Sequence, residues 1–183
     1  MVAYCRIAGY KGIYGRTTTM NKKLIFLDLD GVCNCHDFNM LAQSNIIHQD
    51  KIALLNHIIT ETNAKIVLSS AWRYLIIRKE CNLKGMDWLL RSHGLMAGRL
   101  IGFTEADTMI DGKPMKDERG KQISSWIEKH KFDGKYVVLD DGGTDDEGVW
   151  TDLGINTAGH PTVWTKSNIG LTKELAEEAI NLL

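Results

Sequence analysis

Proline is nearly missing from this 183-residue chain, at two residues, and its seventeen glycines follow no repeat. Collagen-like and proline-rich chains are thereby excluded. An excess of one charge is also lacking: 22 basic against 23 acidic residues leave a net −1. That argues against a broad basic surface holding nucleic acid by phosphate neutralisation, although a local groove survives the average. Apolar runs are short, Leu24 to Leu27 being typical, and none approaches the length needed to span a bilayer. Arg6, Lys11 and Arg16 interrupt any apolar region of a leader in the first twenty residues. The four cysteines, at 5, 33, 35 and 81, include no CxxC pair and are too sparse for a disulfide framework. Cys33 and Cys35 read as small loop or core residues rather than metal ligands. What the chain does have is an ordinary mixture, 44% apolar and 25% charged, with enough Ile, Leu, Val and Trp to bury one core. The expectation is a single soluble domain in a reducing cytoplasm, with no membrane partner.

Residues 1–21 read as an arm ahead of the fold, and 22–183 as the domain itself. From Lys23 onward, short apolar runs alternate with helical periods. Leu24 to Leu27, Ile66 to Leu68 and Tyr136 to Leu139 are continuous apolar runs, as buried parallel strands require. Leu100 to Phe103 and Thr162 to Trp164 add two shorter strands. Asp50 is expected to cap a helix carrying Ile52, Leu55 and Ile59 and ending near Asn63. Trp72 to Gly94 reads as one or two helices, with Gly94 as the stop. Ile123, Trp126, Ile127 and His130 stand at i, i+3, i+4, i+7, so 120–131 is a helix. Leu171, Leu175, Ala179 and Leu183 mark a terminal one. Strands alternating with helices predict an α/β fold, a three-layer parallel sheet with helices on both faces.

In open α/β sheets, ligands bind outside the carboxyl ends of the strands. Three apolar strands end here in Asp28-Leu29-Asp30-Gly31, in Ser69-Ser70 and in Asp140-Asp141. If those strands are central and parallel, four carboxylates and a hydroxyl converge on one edge. Carboxylates so crowded repel and raise one another's pKa unless a cation sits among them. Mg²⁺ suits the role, because it takes a few carboxylates and keeps other positions for water and phosphate oxygens. Any one of these pieces alone is an ordinary turn. Their joint occurrence at three strand ends is the specific signal.

That pattern resembles the haloacid dehalogenase-like (HAD-like) phosphohydrolase superfamily. Leu24 to Val32 resembles its first motif, an apolar strand followed by DxDG; Val67-Leu68-Ser69 its second; and Tyr136 to Asp141 its acidic fourth. The third motif is a cation. Arg119, 22 residues before Asp141, stands where the family usually has Lys, with Lys116 and Lys121 as rivals. A closer likeness runs over most of residues 22–183, through Ser69-Ser70-Ala71-Trp72-Arg73, Ile101 to Thr104, Arg119 to Ile123 with Trp126, and Gly170-Leu171-Thr172. It is to the phosphatase-like domains associated with RNA-repair proteins, with the phosphatase halves of polynucleotide kinase-phosphatases as more distant relatives.

The resemblance implies roles residue by residue. Asp28 would attack phosphorus and become an aspartyl-phosphate. Asp30 would protonate the leaving alcohol and then activate the attacking water. Mg²⁺ would be held by Asp28, the main-chain carbonyl of Asp30, and Asp141, with Asp140 a direct or an indirect partner. Ser69 and either Arg119 or Lys116 would bind the phosphoryl oxygens. Arg73 is read either as a substrate anchor, gripping phosphate through two hydrogen bonds, or as half of an ion pair on a surface helix. Asp145 and Asp146 are read as solvated loop residues.

Insert lengths bear on the substrate. Asp30 to Ser69 is 39 positions and Ser69 to Arg119 is 50, which leaves no room for a sizeable cap domain at either place where the superfamily inserts one. The site is therefore expected to be open, and 104–118, turning at Asp111-Gly112, to form a flap. The expected activity is a nucleotidase-like phosphomonoesterase acting on nucleotides or nucleic-acid ends, with a homo-oligomer compatible. A phosphatase of another phosphometabolite or phosphoprotein is the alternative. Two non-enzymatic readings are a receiver-like signalling domain, which would carry its acidic pair early rather than late, and a degenerate phospho-ligand-binding domain.

Overall fold

The computed structural model describes residues 23–35, 47–105, 109–110, 113–114, 119–142, 157 and 159–183. The proposed arm at 1–21 lies outside them, as do Lys116, Asp145 and Asp146. In chain order the elements are β1 (Lys23–Leu27), α1 (Gln49–Thr62), β2 (Lys65–Leu68), α2 (Arg73–Ile77), α3 (Leu83–Ser92) and β3 (Leu100–Phe103). There follow β4 (Met109–Ile110), β5 (Lys113–Pro114), α4 (Arg119–Lys129), β6 (Lys135–Asp140), β7 (Thr162–Trp164) and α5 (Lys173–Leu182). Five strands form one sheet in the order β3-β2-β1-β6-β7, every pair parallel. Each apolar run expected to be a strand is one. Among the described residues no folded insertion of cap size interrupts the sheet, and no helix is long and apolar enough to cross a membrane.

Burial on both faces explains the unbroken apolar runs. Along β1, Ile25 and Leu27 face a cluster that includes Ile52, Leu55 and Ile59 of α1, Met86 and Leu90 of α3, and Ala176 and Ala179 of α5. Leu24 and Phe26 face the other way, onto Ile123 and Trp126 of α4. Phe26 meets the Trp126 and Tyr136 rings edge-on, each at 5.6 Å between centroids. A strand wedged between two such layers has no solvent side on which to place a polar residue.

One helix start departs from expectation, and one open choice is settled. Asp50 is not the cap of α1: His48 occupies that position without a side-chain cap bond, and Asp50 lies in the first turn, where its charge suits the positive end of the helix dipole. The 73–92 stretch is two helices, because Lys79 adopts a left-handed φ of 61° and Asn82 restarts the chain by accepting the Gly85 N–H at 2.8 Å. Gly94 does end the second helix, at φ 103°. In the expected flap region, Met109 and Ile110 pair with Pro114 and Lys113 in a short antiparallel ladder.

The sheet order has a consequence for function. From β1 the chain steps outward to β2 and β3, then returns to the far side of β1 for β6 and β7. The strand order therefore reverses between β1 and β6, and crevices for ligands open at such a point, at the carboxyl ends.

Candidate active site

Register places the site residues before any side chain is considered. Leu27 is level with both Leu68 and Leu139, and Leu68 with Phe103. The next residues, Asp28, Ser69, Asp140 and Thr104, therefore stand in one row across four adjacent strands. Ladder bonds continue into that row: the N–H groups of Asp28, Ser69 and Thr104 donate to Leu139, Leu27 and Leu68 carbonyls at 2.9, 2.8 and 2.9 Å. Side chains alternate along a strand, so Asp28, following Leu24 and Phe26, lies on the α4 face. The first turn of α4 is where Arg119 sits.

Arg119 Nη1 donates to Asp28 Oδ2 at 2.6 Å and to Asp140 Oδ2 at 2.5 Å. All three side chains are largely or wholly buried. Burial works against the guanidinium charge, but the Asp28 and Asp140 carboxylates outweigh it and raise the Arg119 pKa. Burial likewise pushes the Asp140 carboxyl up, with Arg119 pulling it back and Asp28 adding to the rise. Asp140 Oδ1 accepts the Gly142 N–H at 2.8 Å, so both of its oxygens are engaged. Of the two candidate cations among the described residues, Arg119 is the one placed among the carboxylates. Lys121 is exposed on α4, and Lys116 is outside the described residues.

Asp28, Asp140 and Asp141 each offer a carboxylate oxygen, and these lie within 4.8 Å of one another. Three carboxylates against one guanidinium leave two negative charges when all are ionised, which fits a dication. An all-oxygen donor set fits Mg²⁺ rather than a thiophilic metal. Asp141 Oδ2 also accepts Ser167 Oγ at 2.6 Å, which fixes that carboxylate from the far side. Gly31 is required here. Its φ is +71°, and a Cβ on it would stand 2.0 Å from Asp141 Oδ2.

Asp30 sits apart from that cluster. Trp72 Nε1 donates to its Oδ1 at 2.9 Å and Oδ2 at 3.1 Å, and Asn34 Nδ2 donates to Oδ1 at 2.9 Å. Burial raises the Asp30 pKa, the Trp72 hydrogen bond opposes that rise, and the Asp28 charge adds to it. The loop carrying it is tight: the Cys33 and Asn34 N–H groups both return to the Leu29 carbonyl, at 2.8 and 2.9 Å. Two carboxylates two residues apart thus have different surroundings, one against a cation and one among neutral donors.

Arg73 is not on the surface, which corrects one of its two sequence readings. It is buried, and its guanidinium donates to the Glu105 and Ser70 carbonyls at 3.1 and 2.7 Å and to Gln122 Oε1 at 3.0 Å. It therefore ties the turn after β2 to the turn after β3 and to α4. Ser69 Oγ is buried without a hydrogen-bond partner, as is Thr104 Oγ1. Cys33 is buried and Cys35 half-buried, neither in a disulfide.

Trp72, Asn34, Ser167 and Thr104 touch or adjoin the carboxylates without having been assigned roles from the sequence. Asn34 and Trp72 carried a weak local signal, the first four residues after Asp30 and the second beside Ser70. Ser167 carried none, because its contact with Asp141 is made only by the fold.

A family model described as the HAD domain in Swiss Army Knife RNA repair proteins matches residues 24–176. No curated protein and no solved structure matches the chain. The match runs from β1 into α5 and takes in every carboxylate of the site. The chain belongs to that family of HAD domains, which supports a phosphatase-type role.

Proposed function

We propose that, within this family, the chain is a Mg²⁺-dependent phosphomonoesterase that works through an aspartyl-phosphate on Asp28 and takes nucleotides or nucleic-acid ends as substrates. The observation that carries the reading is the division of labour between the two acids of the first loop. Asp28 is level with the other strand-end groups and charge-paired to Arg119, while Asp30 is held by Trp72 and Asn34. Asp28 attacks phosphorus, the bond from phosphorus to the leaving oxygen breaks, and Asp30 gives that oxygen its proton. A water then attacks the aspartyl-phosphate, Asp30 takes a proton from it, and the acyl phosphate bond breaks to release phosphate and restore Asp28.

Arg119 and Ser69 hold phosphoryl oxygens as charge grows on them, and Trp72 with Asn34 keeps Asp30 aimed through both steps. Mg²⁺ would be held by Asp28, the Asp30 carbonyl and Asp141, with Asp140 behind Arg119, and it supplies positive charge to the phosphoryl oxygens when bound. The substrate class is supported by the RNA-repair family and by Trp164. That residue is 38% exposed and is level with Asp140 on the neighbouring strand, a suitable place for a base to stack. The net charge of −1 favours mononucleotides slightly over long polyanions.

Release of inorganic phosphate from a nucleoside monophosphate tests the reading. Turnover should require Mg²⁺, stop with chelator, and be poorly supported by Ca²⁺, whose longer and looser coordination misplaces the nucleophile. Asp28→Asn should abolish it with the fold intact. Full activity in excess chelator, or a phosphorylated intermediate mapped to another residue, would overturn it.

A further inference from the structure

Thr104 ends β3 as Ser69 ends β2, and the two residues are level in the parallel ladder. Both residues are fully buried. Among the described residues their hydroxyls are the only buried ones without a hydrogen-bond partner. Buried polar groups are nearly always paired, and leaving one unpaired is destabilising. Two such groups on adjacent strands, next to a catalytic carboxylate, form one defect.

A protein group on the adjacent strand can supply the partner that Thr104 Oγ1 lacks, since level residues share a face. Ser69 Oγ is that group by register. Adjacent strands lie about 4.8 Å apart, and level residues put their side chains on the same face. The pairing requires a rotation of the Ser69 side chain between staggered positions to bring the two oxygens within hydrogen-bond reach. Arg73 keeps the strand ends from separating, since it donates to the carbonyls of Ser70 and Glu105, the residues that follow the two hydroxyls.

We propose that Thr104 is a positioning residue for phosphate: its hydroxyl donates to Ser69 Oγ and thereby directs the Ser69 proton onto a phosphoryl oxygen of the substrate. A serine hydroxyl has one proton, and it accepts as well as donates. Once Thr104 occupies a lone pair of Ser69 Oγ, the Ser69 proton points away from β3, toward Asp28. The hydroxyl pair is unsatisfied without ligand and satisfied with it, so its cost is relieved on binding. The inference rests on the proposed phosphatase reading only in taking Ser69 as the phosphate contact.

Four variants test it: Thr104→Val, Thr104→Ser, Ser69→Ala and the Ser69→Ala/Thr104→Val double. Each is measured for phosphate release and, by calorimetry in Mg²⁺, for binding of inorganic phosphate. Thr104→Val keeps shape and deletes one buried hydroxyl, so its Tm should stay level or rise. Its kcat/KM and phosphate affinity should fall about tenfold, the worth of one hydrogen bond. Thr104→Ser should restore both, and the double variant should be no worse than Ser69→Ala, because Thr104 acts through Ser69. Thr104→Val within twofold of the parent in both measurements, or losses that multiply in the double variant, would overturn the inference. If Ser69→Ala binds phosphate as well as the parent, the phosphate contact itself is wrong and both readings fall. If Ser69→Ala weakens binding and Thr104→Val does not, only the role of Thr104 falls.

Discussion

Both hydrogen bonds from Arg119 to the site carboxylates leave from a single nitrogen, Nη1. A guanidinium is normally chosen for its planar fork, which grips one carboxylate with two nitrogens. Here it is used as a point charge shared by two acids, which a lysine ammonium can also do. If Arg119 is the third-motif cation, as proposed, a lysine at that position would serve the same role. Arg119→Lys should therefore keep phosphate release within about tenfold of the parent, whereas Arg119→Ala should lose at least about a hundredfold. Without Mg²⁺, Arg119→Ala should also cost about 3–5 kcal/mol of stability, because it strands buried carboxylates that repel each other. Urea denaturation with and without Mg²⁺ reads that difference, and equal loss in Lys and Ala variants would refute the point-charge account. Cys33 gives a second prediction at this scale. Burial raises its thiol pKa and shuts out reagents, so it should resist alkylation in the native protein and react only after denaturation. Peptide mapping of the labelled protein decides this directly.

The loop between β1 and α1 depends on one backbone position. Gly31 holds a left-handed φ, and its N–H donates to the Asn34 carbonyl at 2.7 Å, closing the turn that aims Asp30. Gly31→Ala adds a backbone penalty of about 1–2 kcal/mol and pushes a methyl group into Asp141. Tm should drop by roughly 2–8 °C, and Mg²⁺ affinity should fall more than that drop explains, because Asp141 must move. A variant with unchanged Mg²⁺ binding would remove Asp141 from the proposed metal ligands. At the same scale, the strands were legible in the sequence because parallel strands buried on both faces must be apolar throughout. The acidic ends of β1 and β6 stood out against that background. The break at Lys79 was not legible, since a left-handed lysine has no sequence signature. Arg73 was half-legible: its place after Ser70 was visible, but whether it faced solvent or three chain segments depended on how β2, β3 and α4 pack. Ser167 was hidden for the same reason, lying 26 residues from its partner Asp141.

Taken whole, the molecule presents its chemistry at one edge of a nearly neutral body, and that constrains which substrates it can hold. A net charge of −1 offers no long-range pull on a polyanion, so recognition has to come from contacts next to the phosphate. Trp164, an exposed residue, lies one strand beyond Asp140, and the exposed Lys166 follows it on the same edge. A base stacked on the Trp164 ring would be worth about 1–3 kcal/mol. Trp164→Ala should accordingly raise KM for nucleoside monophosphates and phosphorylated oligonucleotides about 5- to 150-fold. The same change should leave glycerol phosphate hydrolysis within about twofold, since that substrate has no ring to stack. Trp164→Phe should recover most of the loss. Salt separates the two nucleic-acid substrates: mononucleotide turnover should change little between low and moderate ionic strength, while a steep fall for oligonucleotides would reveal a local basic groove. If Trp164→Ala weakens glycerol phosphate and nucleotides alike, the ring supports the site rather than the substrate. If sugar phosphates outrun every nucleotide in kcat/KM by orders of magnitude, the nucleotide assignment is wrong even where the aspartyl-phosphate chemistry holds.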